Sequence, residues 1–399
     1  MNGVPAYTGS MQERVGSLAG IASRPVRPLI VALSGLAALA VAIGIGRFAF
    51  TPLLPMMQTD AGISVSEGGW LAAANYVGYL LGALWAAAMP IRATTAIRGG
   101  LVAMALATLA MSVDTGFAGW LLLRGIAGIA SAWVLVYTFA WCLERLSPLG
   151  RPMLNAVVFS GVGTGIAFAG LLCLALMAAS VSSASAWLDL GLIGLAVTAL
   201  VWPVFSSPAE TARPARTAER WTAEHVRLVL CYGVFGFGYI IPATFIPVMA
   251  REVIDDPVIF GWAWPIFGTA AAASTIAAIT LLKKVGNRNL WIIGHIVMAI
   301  GVAAPVAWPG IPGIAAAALC VGGTFMVITM AGMQEGRRVG GANAAVMIAA
   351  MTAAFAAGQI AGPSLVSVLL SRGGEMADAL LLASTFLTVS ALALVTRRS

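Results

Sequence analysis

The sequence predicts an all-α integral membrane protein with twelve transmembrane helices, and three observations support this fold class. The 399 residues have a mean hydropathy of +0.95, with 60% hydrophobic and only 9% charged residues. Soluble domains carry roughly 25% charged residues, so this chain lacks the polar surface that a water-exposed domain needs. Its apolar segments are continuous and of helical length, and its basic residues occur in alternate loops.

The apolar segments favour helices over a barrel. Inside lipid, every backbone N–H and C=O group needs a partner within the protein, which leaves helices and closed barrels as the spanning structures. Barrel strands alternate apolar and polar residues, whereas these segments are uniformly rich in Ala, Leu, Gly and Val. A spanning helix needs about 20 residues. The predicted spans are 29–57, 68–91, 97–113, 118–143, 153–180, 184–205, 226–249, 259–282, 290–308, 311–333, 343–370 and 377–396.

A polar stretch in the middle of the chain divides these spans into six and six. The expected organisation is a cytoplasmic tail over 1–28, a six-helix bundle over 29–205, a cytoplasmic linker over 206–225, a second six-helix bundle over 226–396 and a tail over 397–399. The first 28 residues contain several arginines and no short apolar core before a cleavage site. We therefore expect no cleaved signal peptide.

Basic residues set the orientation, because Lys and Arg concentrate in cytoplasmic loops. The side that carries both termini receives Arg14, Arg24, Arg27, Arg92, Arg98, Arg145, Arg151, Arg213, Arg216, Arg220, Arg227, Lys283, Lys284, Arg288, Arg337, Arg338, Arg397 and Arg398. The opposite side receives Arg251 and Arg372 and most of the acids. We expect a multi-pass protein of the bacterial inner membrane with both termini cytoplasmic. The net charge of +7 is scattered among short loops, which argues against a nucleic-acid partner.

The two halves share an order of features that indicates duplication. The first span has glycines beside an aromatic residue and then Pro52 and Pro55, and the seventh span repeats this order with Pro242 and Pro247. An acidic loop follows each span, and Gly-Trp pairs open the next helices at 69–70 and 261–262. Related halves are a mark of many transporters. The expected fold is therefore two pseudo-symmetric six-helix bundles.

These motifs resemble the major facilitator superfamily over essentially the whole chain. The segments that carry the resemblance are Arg-x-x-x-Gly at 124–128, a glycine-rich helix at 159–165 and Gly-Gln-Ile-Ala-Gly-Pro at 358–363. The segments 44–55 and 74–80 resemble its bacterial YbfB/YjiJ-type branch. The acidic and basic loop motif that the superfamily usually places after its second helix keeps only Arg92 and Arg98 here. A reduced version follows the eighth span at 284–288.

Polar side chains inside a span are candidate binding groups. Arg47 lies about ten residues from the end of its span, too far to reach water easily, and Arg124 lies about one and a half turns into its own. For both arginines a structural role, bonded to neighbouring backbone, is the alternative to substrate binding. Interhelical hydrogen bonding or packing is the corresponding alternative for the uncharged candidates. The predicted substrate-binding residues are Arg47, Asn75, Tyr79, Arg124, Tyr239, Trp264 and Gln359, with Tyr76 and Tyr137 as weaker candidates.

Few side chains in the sequence could couple transport to the movement of a proton. His295 titrates near physiological pH when unperturbed, while Asp189 and Glu335 are the acids nearest to mid-span positions. These three are weak candidates for gating or coupling to a proton. Exchange against a counter-anion is the alternative. The four cysteines lie singly in apolar segments without metal-ligand or redox spacing, so we expect packing roles, no metal, no cofactor and no catalytic residue.

The resemblance implies a monomeric secondary transporter that moves a small solute by alternating access. Two buried arginines with few buried acids favour an organic anion, because guanidinium matches a carboxylate or phosphate. An efflux carrier for neutral or cationic compounds is the alternative. A membrane enzyme or a sensor without transport is the alternative from another class. The sequence has no phosphate-binding Gly-x-x-x-x-Gly-Lys motif, and its two histidines are far apart.

Overall fold

The computed structural model describes residues 27–88, 91–206, 221–253 and 261–395, with 256 and 259 between the last two ranges. Twelve long helices form the chain, and no strand occurs within these residues. Their bounds are α1 Pro28–Asp60, α2 Val65–Ala88, α3 Ala93–Ala110, α4 Gly116–Leu146, α5 Pro152–Ala178, α6 Ser183–Val201, α7 Ala223–Val253, α8 Ala263–Val285, α9 Asn287–Ala307, α10 Ile311–Gly340, α11 Ala344–Ser371 and α12 Met376–Val395. Most of both tails and of the expected linker lies outside the described residues.

The predicted fold class is confirmed. Eleven of the helices are long and apolar enough to cross a membrane. The remaining helix, α2, has 24 residues and contains Asn75, two tyrosines and four glycines, which make it more polar. Large apolar side chains remain exposed on the outer faces of the helices, as at Leu122, Leu200 and Leu392. Hydrocarbon is the solvent that suits such faces.

The first six helices (the N-terminal bundle) and the last six (the C-terminal bundle) pack in the same pattern. In the N-terminal bundle α1 packs on α5, α2 on α4, and α3 on both α4 and α6. The C-terminal bundle repeats every pair six helices later, as α7 on α11, α8 on α10, and α9 on both α10 and α12. The contacts between bundles obey the same relation, since α2 packs on α11 and α5 on α8. The expected pseudo-symmetry is therefore present in the packing.

Glycines allow the bundles to approach each other along α5 and α8. A Cβ atom on Gly163 would lie 2.3 Å from the backbone nitrogen of Ala272, and one on Gly268 would lie 2.2 Å from that of Ala167. Real Cβ contacts do not come this close. Small residues at such positions let helix backbones pack closely in membranes.

Hydrogen bonds join the bundles at the end of the molecule where α1 and α7 end and α2 begins, which we call the distal end. The Ser66 hydroxyl donates to the Ser367 carbonyl at 3.1 Å, and the Ser367 hydroxyl donates to the Ser66 carbonyl at 2.9 Å. Arg251 Nη1 donates to the carbonyl of Pro55 at 2.8 Å. The bundles are therefore held together at the distal end, opposite to the proximal end where α1 begins and α12 ends.

Candidate functional site

The first helix loses α-helical geometry at its centre. Residues Ala40–Ile45 form a π-helical segment, 46–49 form turns, and the α-helix resumes at Phe50. Gly44 permits this path, because a Cβ atom there would lie 2.3 Å from the backbone of Gly165 on α5. Such segments change which carbonyl each N–H bonds. The interruption places Arg47 in the irregular part of α1 rather than on a regular helical face.

Arg124 of α4 donates hydrogen bonds to two backbone carbonyls in the interrupted part of α1. Its Nη1 donates to the Gly46 carbonyl and its Nη2 to the Arg47 carbonyl, each at 3.1 Å, while its guanidinium stacks 4.7 Å from the Phe50 ring. The residue is 1% exposed. Asn75 continues this network by donating from Nδ2 to the Arg124 carbonyl at 3.0 Å. The geometry is that of the interhelical clamp that the sequence left open for Arg124.

Arg47 has a different environment, although it is only 4% exposed. Its guanidinium carbon lies 4.3 Å from the Tyr79 ring centroid, 4.8 Å from that of Tyr76 and 5.3 Å from that of Phe48. Its Nε and Nη2 atoms have no hydrogen-bond partner, and no described residue forms a salt bridge with it. The aromatic faces stabilise the cation but leave two donor nitrogen atoms free.

The C-terminal bundle places a second set of predicted residues beside this cation. Gln359 Nε2 donates to the Tyr239 hydroxyl, while Gln359 Oε1 has no partner. Both side chains are buried, and the Tyr239 ring stacks on Phe325 and Phe355 with centroids 5.6 Å apart in each pair. Tyr239 also lies within electrostatic range of Arg47. The C-terminal bundle thus contributes a free acceptor, and the N-terminal bundle contributes the free donors.

Two contacts connect these sets across the interface between the bundles. The Trp264 ring lies 6.1 Å from the Phe48 ring, and the Tyr76 hydroxyl lies 3.3 Å from the Thr244 hydroxyl oxygen. Trp264 Nε1 has no partner. The result is a closed aromatic site with one cation, which we call the central site. Its predicted members are Arg47, Tyr79, Tyr239, Trp264 and Gln359.

Asn75 and Arg124 lie behind the central site, occupied with backbone carbonyls of the N-terminal bundle. Their assignment to substrate binding stays a prediction, as does that of the five central residues. Sequence reasoning gave Tyr76, which contacts Arg47, only as a weaker candidate and did not single out Phe325 or Phe355. The spacing of Tyr76 and Tyr79, three residues apart on one helix, was the available signal for Tyr76. No comparable sequence signal marked Phe325 or Phe355, since aromatic residues are common in membrane helices.

The three weak coupling candidates are separated from one another. Glu335 is 2% exposed and accepts from Arg338 Nη2 at 2.7 Å, with Arg288 Nη1 3.6 Å away, near the proximal end. His295 is fully buried in the C-terminal bundle; its Nδ1 lies 3.1 Å from the Trp291 carbonyl, and its Nε2 has no partner. Asp189 lies half-buried on α6. None of the three contacts Arg47 in the described structure, and a coupling role for each stays a prediction.

In the described part of the chain, no group of three His, Cys, Asp or Glu side chains converges. These residues therefore offer no candidate metal site. The four cysteines are unpaired there, and three of them are buried. The central site offers donors, acceptors and aromatic faces, which are means of binding rather than of bond making.

Comparison with known proteins agrees with this reading of the fold. The chain resembles the nucleoside transporter NupG, whose crystal structure in a mutant form superposes with a TM-score of 0.70 over 92% of this chain and 98% of that one, at 15% sequence identity. At this identity the likeness concerns the fold. A relative from Bacillus subtilis strain 168, described as the uncharacterized MFS-type transporter YceJ, is 30% identical over 131 residues. That match spans about a third of each chain, at 32% of this one and 31% of the relative.

The family assignment rests on a longer match. The model of the family described as "Uncharacterised MFS-type transporter YbfB" matches residues 39–395, from the first helix to the last. This family and the similar proteins are transporters rather than enzymes. The chain therefore belongs to the YbfB-type family of major facilitator superfamily transporters.

Proposed function

We propose that this membrane transporter moves a small organic anion by alternating access, with the anionic group bound to Arg47 in the central site. The observation that carries the proposal is the buried Arg47 guanidinium with Nε and Nη2 unpartnered. A buried cation is costly unless it is paired. A substrate carboxylate would supply the missing partner, and the planar fork of Arg suits a carboxylate or phosphate.

The aromatic rings and the free Gln359 Oε1 favour a particular kind of anion. Tyr239, Trp264 and Phe355 would pack against an apolar or ring-shaped substrate body, and the amide oxygen would accept a hydrogen bond from it. Arg124 keeps its charge, but its two Nη atoms are already bonded to carbonyls, so Arg47 alone would bind the anionic group, which favours a substrate with one carboxylate. The competing candidate is a neutral solute bound by the rings and the amide, while a cationic solute would be repelled by Arg47.

The expected topology gives this conformation a place in a transport cycle. With both termini in the cytoplasm of a bacterium, the distal end faces away from the cytoplasm, and its hydrogen bonds close the path between the bundles on that side. Rocking of one bundle against the other would open this end and close the proximal one. The described carboxylates lie outside the central site, which favours exchange against a second anion over coupling through an acid in the site.

The test is a ligand screen on the purified full-length protein. A ligand that binds only the folded state raises its apparent stability, so small carboxylates, neutral sugars and nucleosides, and lipophilic cations are compared by their shift of the melting temperature. We expect shifts from monocarboxylates that carry a ring, and their loss in Arg47→Gln, with Arg98→Gln as the control for charge. Equal shifts in Arg47→Gln, or shifts from neutral solutes or cations alone, would overturn the anion assignment.

A further inference from the structure

A cavity separate from the central site opens at the proximal end of the C-terminal bundle. It has a volume of about 810 Å³, and the ends of α7, α8, α9 and α10 surround it. The lining includes Glu224, Arg227, Arg288, Glu335 and Arg338. Nothing in the transport proposal uses this cavity.

The charged side chains of the cavity form a chain of alternating sign with one positive charge in excess. Glu224 pairs with Arg227 and with Arg288, and Glu335 pairs with Arg288 and with Arg338. Three arginines therefore share two carboxylates. Because each carboxylate is already engaged by two guanidinium groups, the unbalanced charge of the cluster is positive.

Arg288 at the centre of this chain has unused donor capacity. It is 8% exposed, its Nε donates to the Leu394 carbonyl at 2.8 Å, and its Nη1 faces Glu224 and Glu335. Its Nη2 is buried without a partner. A buried donor without a partner is costly, and an anion in the cavity that Arg288 lines would satisfy it after a small adjustment of the side chain.

The same cavity is lined by the first turn of α9, which adds a second and independent attraction for an anion. Gly286, Asn287, Arg288 and Asn289 line it, and the helix that they begin has 21 residues. No side chain caps this helix end, where Gly286 adopts a φ of 82°. The free N–H groups and the helix dipole of such an end favour a negative group.

We propose that this cavity is an anion site for a phosphate-type monoanion, either the phosphodiester of an anionic lipid head group or free phosphate. A single negative charge matches the excess charge of the cluster, and tetrahedral oxygens can accept from a guanidinium group and from helix N–H groups together. With the expected topology the cavity lies at the cytoplasmic membrane surface, where basic pockets between helices bind lipid head groups. The solute path through the central site does not depend on it.

The experiment measures the melting temperature of the full-length protein in nanodiscs. One arm adds phosphatidylglycerol to phosphatidylcholine discs, and the other adds inorganic phosphate to pure phosphatidylcholine discs, with chloride matching the ionic strength. We expect at least one arm to raise the melting temperature by about 2–4 °C. A rise with the lipid alone assigns the head group, a rise with phosphate alone assigns the free ion, and a rise in neither arm overturns the proposal.

Three variants test whether the rise in melting temperature comes from anion binding in this cavity. Arg338→Gln removes a cavity arginine but leaves Glu335 beside Arg288, and its side chain is 64% exposed, so the protein is expected to fold. Asn289→Asp places a carboxylate at the first turn of α9, where it stabilises the helix itself and competes with the bound anion. Both should weaken anion binding by at least about tenfold. Arg337→Gln removes the same charge next to the cavity without lining it and should keep the effect, so an equal loss there would refute a defined site.

Discussion

Two arginines at the centre of the N-terminal bundle show how the same residue type can serve different roles. Arg124 bonds the Gly46 and Arg47 carbonyls that the interrupted α1 leaves open. Arg47 contacts aromatic faces and keeps two nitrogen atoms unpartnered. The first arrangement stabilises the fold, whereas the second is incomplete without a further group.

This difference predicts that Arg124→Leu lowers the melting temperature much more than the matched substitution Arg47→Leu. Arg124→Leu would leave two buried carbonyls without donors, at about 1–3 kcal/mol for each, so its melting temperature should fall by many degrees. Arg47→Leu removes a buried charge that lacks a polar partner, and the lost cation–π attraction of about 2 kcal/mol is offset by relief of burial. The measurement is the melting temperature of each variant in detergent. A larger loss for Arg47→Leu than for Arg124→Leu would contradict the assigned roles.

At this scale the sequence predicted that the two arginines are buried but not what each one contacts. Burial of Arg47 and Arg124 followed from their positions within apolar spans, and both are buried. The division between clamp and free cation did not follow, because it depends on the π-helical segment of α1. Glycines at 44 and 46 marked that segment without specifying its hydrogen bonds.

At the scale of elements, proline and glycine shape the contacts between the bundles. Pro247 has no N–H group, so the Ala243 carbonyl one turn earlier lacks its helical partner. The Thr51 hydroxyl of α1 donates to that carbonyl at 2.9 Å. A carbonyl left open in one bundle is thus bonded by a side chain of the other. The sequence showed Pro247 as part of a repeated order, but the partner of the open carbonyl across the interface required the tertiary structure.

A substitution at the glycine contact between α5 and α8 should drive the bundles apart. The Cβ atom of Gly268→Ala would lie 2.2 Å from the Ala167 backbone nitrogen, which cannot rotate away as a side chain would. We expect the distal end to be closed less often, so that a short bis-maleimide crosslinker, which reacts with two thiols, joins Ser66→Cys and Ser367→Cys severalfold less.

The control for that experiment is Gly99→Ala, whose added Cβ atom meets no other atom within 4 Å. On the exposed face of α3 this change should leave the crosslinking yield unaltered and stabilise the helix by about 0.5–1 kcal/mol. Equal crosslinking yields for Gly268→Ala and Gly99→Ala would show that the α5–α8 contact does not govern closure.

For the whole molecule, the length of the apolar segments and the charge of the loops were sufficient to predict twelve helices, because a lipid solvent allows few alternatives. The predicted spans and the observed helices agree within four residues at every end except one; α10 continues to Gly340, seven residues past its predicted end, and includes Arg337 and Arg338. The repeated Gly, Pro and Gly-Trp order anticipated the paired packing of α1–α6 and α7–α12. What could not be predicted is that Trp264 of the C-terminal bundle meets Phe48 beside Arg47, since this depends on how the bundles dock.

The most direct test of a carrier that works at the interface between bundles is counterflow in proteoliposomes, using the carboxylate that shifts the melting temperature most. The account predicts exchange by the Ser66→Cys and Ser367→Cys protein and loss of exchange once the distal end is crosslinked, with the unsubstituted chain unaffected by the same reagent. It also predicts no exchange by Arg47→Gln. Full exchange by the crosslinked protein would contradict the account, because the substrate would then cross without the distal end opening.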